Sequence, residues 1–264
     1  MPDSSFPRGD AHAELCQRFS ILAGGPASAY EIALAVACAI DADASFAGIE
    51  DDFDQLIAPL QRRQIAASEL LAEMRAAGFS GPNNGVVGVA HSHIGQVIAR
   101  REGIPISLAI VLIEAAQRCG LQCHGINYPG HFLVSLEQTV VDPLSMQPLG
   151  AEDIARMDVR ALVPAGEQGI GLRMLNNLKA LSTAARDWSR LLDLLDYQVA
   201  LTGSDEALAS TLHFERGEVW AQLGVLDLAR EAYIECARSC PHPDLAQKAQ
   251  VRAGELPSEG GTVH

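Results

Sequence analysis

Apolar residues along this chain recur mostly at three- and four-residue intervals, the spacing of helices with one buried face, and the pattern changes character in one place. There, an unbroken apolar and helix-forming stretch from 108 to 116 is followed by two short alternating runs. Pro105 suits the first turn of a helix, Gly120 its end, and Arg118 the negative end of its dipole, so the stretch reads as a helix. Leu108, Ile110, Val111, Leu112 and Ile113 cover nearly its whole circumference, which predicts burial on several sides. The alternating runs, 132–136 and 139–142, fold into a hairpin if Glu137 and Gln138 form a two-residue turn. In that register Leu136 opposes Thr139, Leu133 opposes Asp142, and His131 shares a face with Asp142 as a diagonal neighbour. A three-residue turn would place them on opposite faces.

Before this centre the periodicity predicts helices over 11–25 and 28–41, separated by Gly24-Gly25-Pro26. A third helix is expected to open at Asp51-Asp52-Phe53-Asp54, where carboxylates favour a helix start. A fourth covers about 64–77 and runs into a loop rich in glycine and asparagine, 78–85, which reads as a mobile lip. From about 170 onward the pattern is purely helical. Gly217, Trp220, Leu223, Gly224, Ala229, Tyr233 and Pro241 fall at the offsets of a tetratricopeptide repeat, and the segment before them carries a blurred copy of the same rhythm. Two such units are too few to bury a continuous core alone, so this module is expected to pack on the first domain.

Ser107 lies at the start of the central helix, where unpaired N–H groups and the dipole favour negative charge. A nucleophile could use that position; an N-cap serine could equally well. At this point the strings Gly103-Ile104-Pro105-Ile106-Ser107-Leu108, Asn127-Tyr128-Pro129-Gly130-His131-Phe132-Leu133, Asp142-Pro143 and Arg173-Met174-Leu175-Asn176-Asn177-Leu178-Lys179 resemble the SirB-type branch of the transglutaminase-like superfamily. The resemblance covers roughly residues 30–245 and implies a helix-rich, papain-related α+β domain with a small antiparallel sheet, followed by an all-α tetratricopeptide-like module. The expected domain limits are 1–160 and 165–255, with the Gly- and Ser-containing 256–264 as a disordered tail. In active relatives the helix start carries a cysteine, followed by a histidine and an aspartate on neighbouring strands; the equivalent positions here are Ser107, His131 and Asp142. The resemblance also makes Asn83, Asn84 and Tyr128 candidate binding residues. Serine is common at this place in the branch, and a hydroxyl, unlike a thiol, is not ionised there near neutral pH. The resemblance thus implies a retained scaffold that binds a peptide or partner protein. The competing reading is an acyl-transfer or amide-hydrolysing enzyme in which His131 deprotonates Ser107 and Asp142 orients the imidazole.

Composition narrows the partners. The 264 residues carry a net charge of −14, which disfavours nucleic acid and anionic membrane surfaces. Hydrophobic residues make up 48% of the chain without any run of membrane-spanning length, and MPDSSFPRGD lacks a signal-peptide pattern, so a cytoplasmic home is expected. The six cysteines fit that home as free thiols. Metal-like groupings are incomplete: His91 and His93 are two apart, Asp51, Asp52 and Asp54 lack a calcium-loop continuation, and Cys236, Cys240 and His242 form half a zinc site at best. No cofactor is expected.

Overall fold

The computed structural model describes residues 9–83 and 85–257. Asn84 and most of the expected tail, 258–264, lie outside the described residues. The chain divides into two compact units, Pro26–Leu178 and Met1–Gly25 with Lys179–His264.

The first unit is built on the apolar helix. Helices α2 (Ala29–Ile40), α3 (Phe46–Gln61), α4 (Ala67–Ala76) and α5 (Ile94–Arg100) precede α6 (Pro105–Arg118), which packs against α2, α3, α4 and α5 as well as the sheet. Ten of its fourteen residues are buried, as an apolar circumference requires. It stops where Gly120, at φ 80°, lets the Leu121 N–H return to the Ala116 carbonyl at 2.9 Å.

The sheet has five antiparallel strands in the order β4-β3-β2-β1-β5: β1 (Cys123–Tyr128), β2 (His131–Leu136), β3 (Thr139–Asp142), β4 (Gln147–Pro148) and β5 (Val163–Pro164), with the short helix α7 (Ala151–Arg156) between β4 and β5 in the chain. Leu136 pairs with Thr139, the two-residue-turn register. Glu137 adopts a φ of 52°, an unfavourable conformation for a non-glycine residue, and is held there locally. Its N–H donates to the Gln122 carbonyl at 2.8 Å and its carboxylate accepts the Gln122 N–H at 2.9 Å. A side chain at Gly125 would crowd β2, since a Cβ there would lie 2.6 Å from the Phe132 ring.

Two expectations shift. The third helix begins at Phe46, five residues before the acidic cluster, because Ser45 caps it by accepting the Gly48 N–H at 3.2 Å. The acids serve a different purpose: Glu50 and Asp54 hold Arg118 at 2.9 and 2.6 Å, with its guanidinium over the Phe53 ring. The loop after α4 is also anchored at its start. Phe79 is buried, Ser80 N–H donates to the Arg101 carbonyl at 2.9 Å, and Gly103 N–H donates back to the Ser80 carbonyl at 3.1 Å.

The second unit is helical. It holds α1 (Asp10–Gly24), the end of α8 (Glu167–Ala185), and α9 (Trp188–Leu201), α10 (Glu206–Gln222), α11 (Leu226–Ser239) and α12 (Pro243–Glu255). Helix α1 belongs to this unit. Phe19 is completely buried with its ring 5.3 Å from Tyr197, and His12 Nδ1 lies 3.1 Å from the same tyrosine's hydroxyl. Helices α10 and α11 form a tight pair: a Cβ on Gly217 would lie 2.6 Å from the Tyr233 ring. Leu256 packs on this core, and Arg230 donates to the carbonyls of Leu256 and Pro257 at 3.1 and 2.7 Å.

Candidate functional site

Ser107 is not the N-cap of α6. Ile104 holds that place, Pro105 follows as the first helical residue, and Ser107 is the third, in the first turn, with its side chain folded back. Its Oγ accepts the Ile104 N–H at 3.1 Å. Its single hydrogen goes to the His91 carbonyl at 2.7 Å, the Ile104 carbonyl being the alternative at 3.0 Å. The residue is 0% exposed. Gly103 closes the site from the chain side: a Cβ there would stand 2.7 Å from the serine oxygen and 3.0 Å from Val97.

His131 opens β2 directly after Gly130, whose φ of 76° makes the β1–β2 turn. It pairs with Tyr128 across that turn, the two rings 6.2 Å apart, and it is exposed. Only four residues separate α6 from β1, and a fourteen-residue helix and a six-residue strand are each about 20 Å long. Helix α6 packs against both β1 and β2. Asp142 ends β3, and the observed register puts it on the same face of the hairpin as His131. Its carboxylate instead accepts the Leu144 N–H at 3.0 Å and the Ser145 hydroxyl at 2.9 Å, shaping the next turn. Among the described residues no hydrogen bond joins Ser107, His131 and Asp142 to one another.

The candidate binding residues scatter around this centre. Asn83 is exposed and its amide donates to Glu102. Asn84 is outside the described residues. The Tyr128 hydroxyl accepts the Asp158 N–H at 3.3 Å. Residues given no site role on the sequence alone do more of the positioning. His91 accepts the Gly88 N–H on Nδ1 at 2.9 Å, with Nε2 3.9 Å from Glu102, and lends its carbonyl to Ser107. Arg173 donates to Asn127 Oδ1 at 2.7 Å and lies over the Phe132 ring, so two of the matching strings meet in one contact. That pairing of strings was the available signal.

Other reactive groups are muted. Cys123 is buried, and burial, aided by the Glu137 carboxylate, pushes its thiol up to about 12. His93 is 5% exposed and caps α5 by accepting the Gln96 N–H at 3.2 Å, with burial lowering its pKa. Among the described residues no group of three His, Cys, Asp or Glu side chains is placed to hold a metal ion, and no helix is long and apolar enough to cross a membrane.

Helix α6 packed on a small antiparallel sheet, with histidine and aspartate on successive strands, is the setting that the transglutaminase-like resemblance implies. Residues 41–184 match the sequence profile of the transglutaminase-like superfamily, and the chain belongs to that superfamily. It is similar to a UPF0162 protein of Xylella fastidiosa strain 9a5c, 34% identical over 193 residues that cover 64% of this chain and 67% of that one. A UPF0162 protein of Vibrio cholerae is 27% identical over 190 residues, 67% of this chain and 70% of the relative. One from Pseudomonas aeruginosa is 29% identical over 181 residues, covering 67% and 64%. The chain thus spans 64 to 70% of the length of these relatives. No solved structure matches it.

Proposed function

We propose that this protein is a cytoplasmic, SirB-type member of the superfamily, a pseudoenzyme that binds a peptide or partner protein through its transglutaminase-like domain and its tetratricopeptide-like helices. The observation that carries the reading is the state of Ser107: buried, with its hydrogen on one backbone carbonyl and its lone pair on a backbone N–H. A serine nucleophile needs a free hydroxyl, a base within reach and room for the acyl group. The repeat reading is supported by Gly217, Trp220, Ala229 and Tyr233, which fall at repeat offsets and are buried together. Free thiols at all six cysteines accord with the proposed compartment.

The test is chemical labelling of the full chain. Wild-type Ser107 is expected to resist a fluorophosphonate, and the thiol of a Ser107→Cys variant to react with iodoacetamide more slowly than an exposed cysteine. Stoichiometric fluorophosphonate labelling of Ser107 that disappears in His131→Ala would overturn the proposal and establish the acyl-transfer reading.

A further inference from the structure

Cys236 and Cys240 take no part in the function proposed for the helices, yet they meet at the corner where α11 gives way to α12. Cys236 lies on the last turn of α11 and is completely buried in the core of the helical unit, whereas Cys240 follows as the C-cap and is half-buried. We propose that these two thiols form a modification site, which hydrogen peroxide converts to a reversible disulfide, Cys240 taking the oxidant and Cys236 closing the bond.

Four residues along a helix advance about 6 Å, inside the Cα separations of roughly 4.4–6.8 Å that disulfides span. The Cβ atoms of such a pair stand about 5–6 Å apart on a regular helix, and a disulfide needs about 4 Å, so one residue has to give. Cys240 is placed to do so: it lies just past the last residue of α11, its backbone extended at φ −72° and ψ 119°. The side chains already interact. Burial, aided by the Cys240 thiol within hydrogen-bonding reach, pushes the Cys236 thiol up to about 11. Cys240 itself donates to the His242 carbonyl at 3.4 Å, a weak bond that is easily given up. Cys119 and Cys123 share the four-residue spacing, but the turn at Gly120 comes between them and neither thiol perturbs the other.

Access sets the order of the chemistry. The Cys240 sulfur, as thiolate, attacks one peroxide oxygen; the O–O bond breaks, the departing hydroxide takes up a proton to leave as water, and a sulfenic acid remains. Cys236 then loses its proton, and its sulfur attacks the Cys240 sulfur and displaces hydroxide, which takes that proton and leaves as the second water. The sulfurs lose two electrons and the peroxide gains them. A high pKa makes the closing step the slower one. The bond fixes the corner from which α12 reaches back to α10, where Arg252 holds Glu218 at 2.9 and 3.0 Å.

The test uses the reduced full chain, freed of reductant and exposed to hydrogen peroxide under native conditions. It is then blocked with iodoacetamide in denaturant and digested with trypsin without reduction. Trypsin cuts after Arg230, Arg238 and Lys248, so the two cysteines fall on separate peptides, 231–238 and 239–248. Mass spectrometry should find these peptides linked in monomeric protein and released by dithiothreitol. In Cys236→Ala, Cys240 should accumulate as a sulfenic acid that dimedone traps, and should pass on to sulfinic acid severalfold more than in the wild type. In Cys240→Ser, Cys236 should stay reduced, because its burial keeps peroxide away. Absence of the link in the wild type, a link confined to disulfide-bonded dimers, or sulfinic acid at Cys240 no lower in the wild type than in folded Cys236→Ala would overturn the proposal. The wild-type peptide map decides by itself if a variant fails to fold.

Discussion

Removing the Ser107 hydroxyl distinguishes a structural serine from a reactive one, because the two make opposite demands on stability. In Ser107→Ala the Ile104 N–H loses an acceptor at 3.1 Å and retains only a long contact of 3.4 Å to the His91 carbonyl, which itself loses a donor at 2.7 Å. Ile104 is 6% exposed, so water does not readily replace what is lost. Leaving buried polar groups unsatisfied costs about 1–3 kcal/mol, and the residual contact argues for the middle of that range. Urea unfolding followed by far-UV circular dichroism measures it, and amide exchange localises it: Ile104 should lose protection. A second cycle sharpens the test. Gly103→Ala should destabilise the wild type strongly, since its Cβ meets the serine oxygen at 2.7 Å, and less so in the Ser107→Ala background, where only Val97 and Leu108 at 3.0 and 3.1 Å still crowd it. If Ser107→Ala left stability within about 0.5 kcal/mol of wild type, with Ile104 still protected, the hydroxyl would not be holding the helix start and the reasoning would fail.

Trp220→Ala should cost on the order of 3–5 kcal/mol in denaturant unfolding of the helical unit, because Trp220 packs into the cluster that holds Leu212, Ala229 and Tyr233; near-wild-type stability would refute that packing. Cys123 should resist iodoacetamide at pH 8 in the folded protein and react on unfolding, given a thiol pushed up to about 12. His93 binds a proton less readily folded than unfolded, so stability should be level above the unfolded value near 6.5 and decline as pH falls from there toward the lowered native value. His93→Asn, which keeps a capping side chain without titrating, should flatten that part of the profile.

What could be read from the chain was whatever local pattern enforces. The buried α6 followed from an apolar circumference, and the hairpin register followed from period-two alternation, even though Glu137-Gln138 is a poor turn dipeptide. Its strain is compensated by the Gln122 backbone, fifteen residues away, and nothing local announces that partner. The start of α3 was missed because two helix-starting signals compete in one stretch. Ser45 acts on the backbone directly, whereas Asp54 and Glu50 are committed to Arg118 on another helix. The attachment of α1 was illegible for a similar reason: Phe19 gives α1 an apolar face, but only the fold shows that Tyr197 meets it.

The candidate site divides along the same line. Serine, histidine and aspartate in the right order on the right elements are a matter of sequence, and the structure places His131 and Asp142 on one face of the hairpin. Whether such a set can react is a matter of what each polar atom already holds. The decisive acceptor for Ser107 is the carbonyl of His91, a backbone group sixteen residues earlier whose role is independent of its side chain. For Ser107 to attack a carbonyl, its hydrogen would have to leave that oxygen and the Ile104 N–H would lose its closer acceptor. Each surrendered hydrogen bond costs on the order of 1 kcal/mol or more in a buried setting, before any alignment with an exposed His131 is achieved. A cysteine at the same position would hold these backbone groups weakly, since sulfur is a poor donor and acceptor, and would be easier to release. Serine at 107 thus favours the closed helix start over the reactive one by the same hydrogen bonds that make it an unpromising nucleophile.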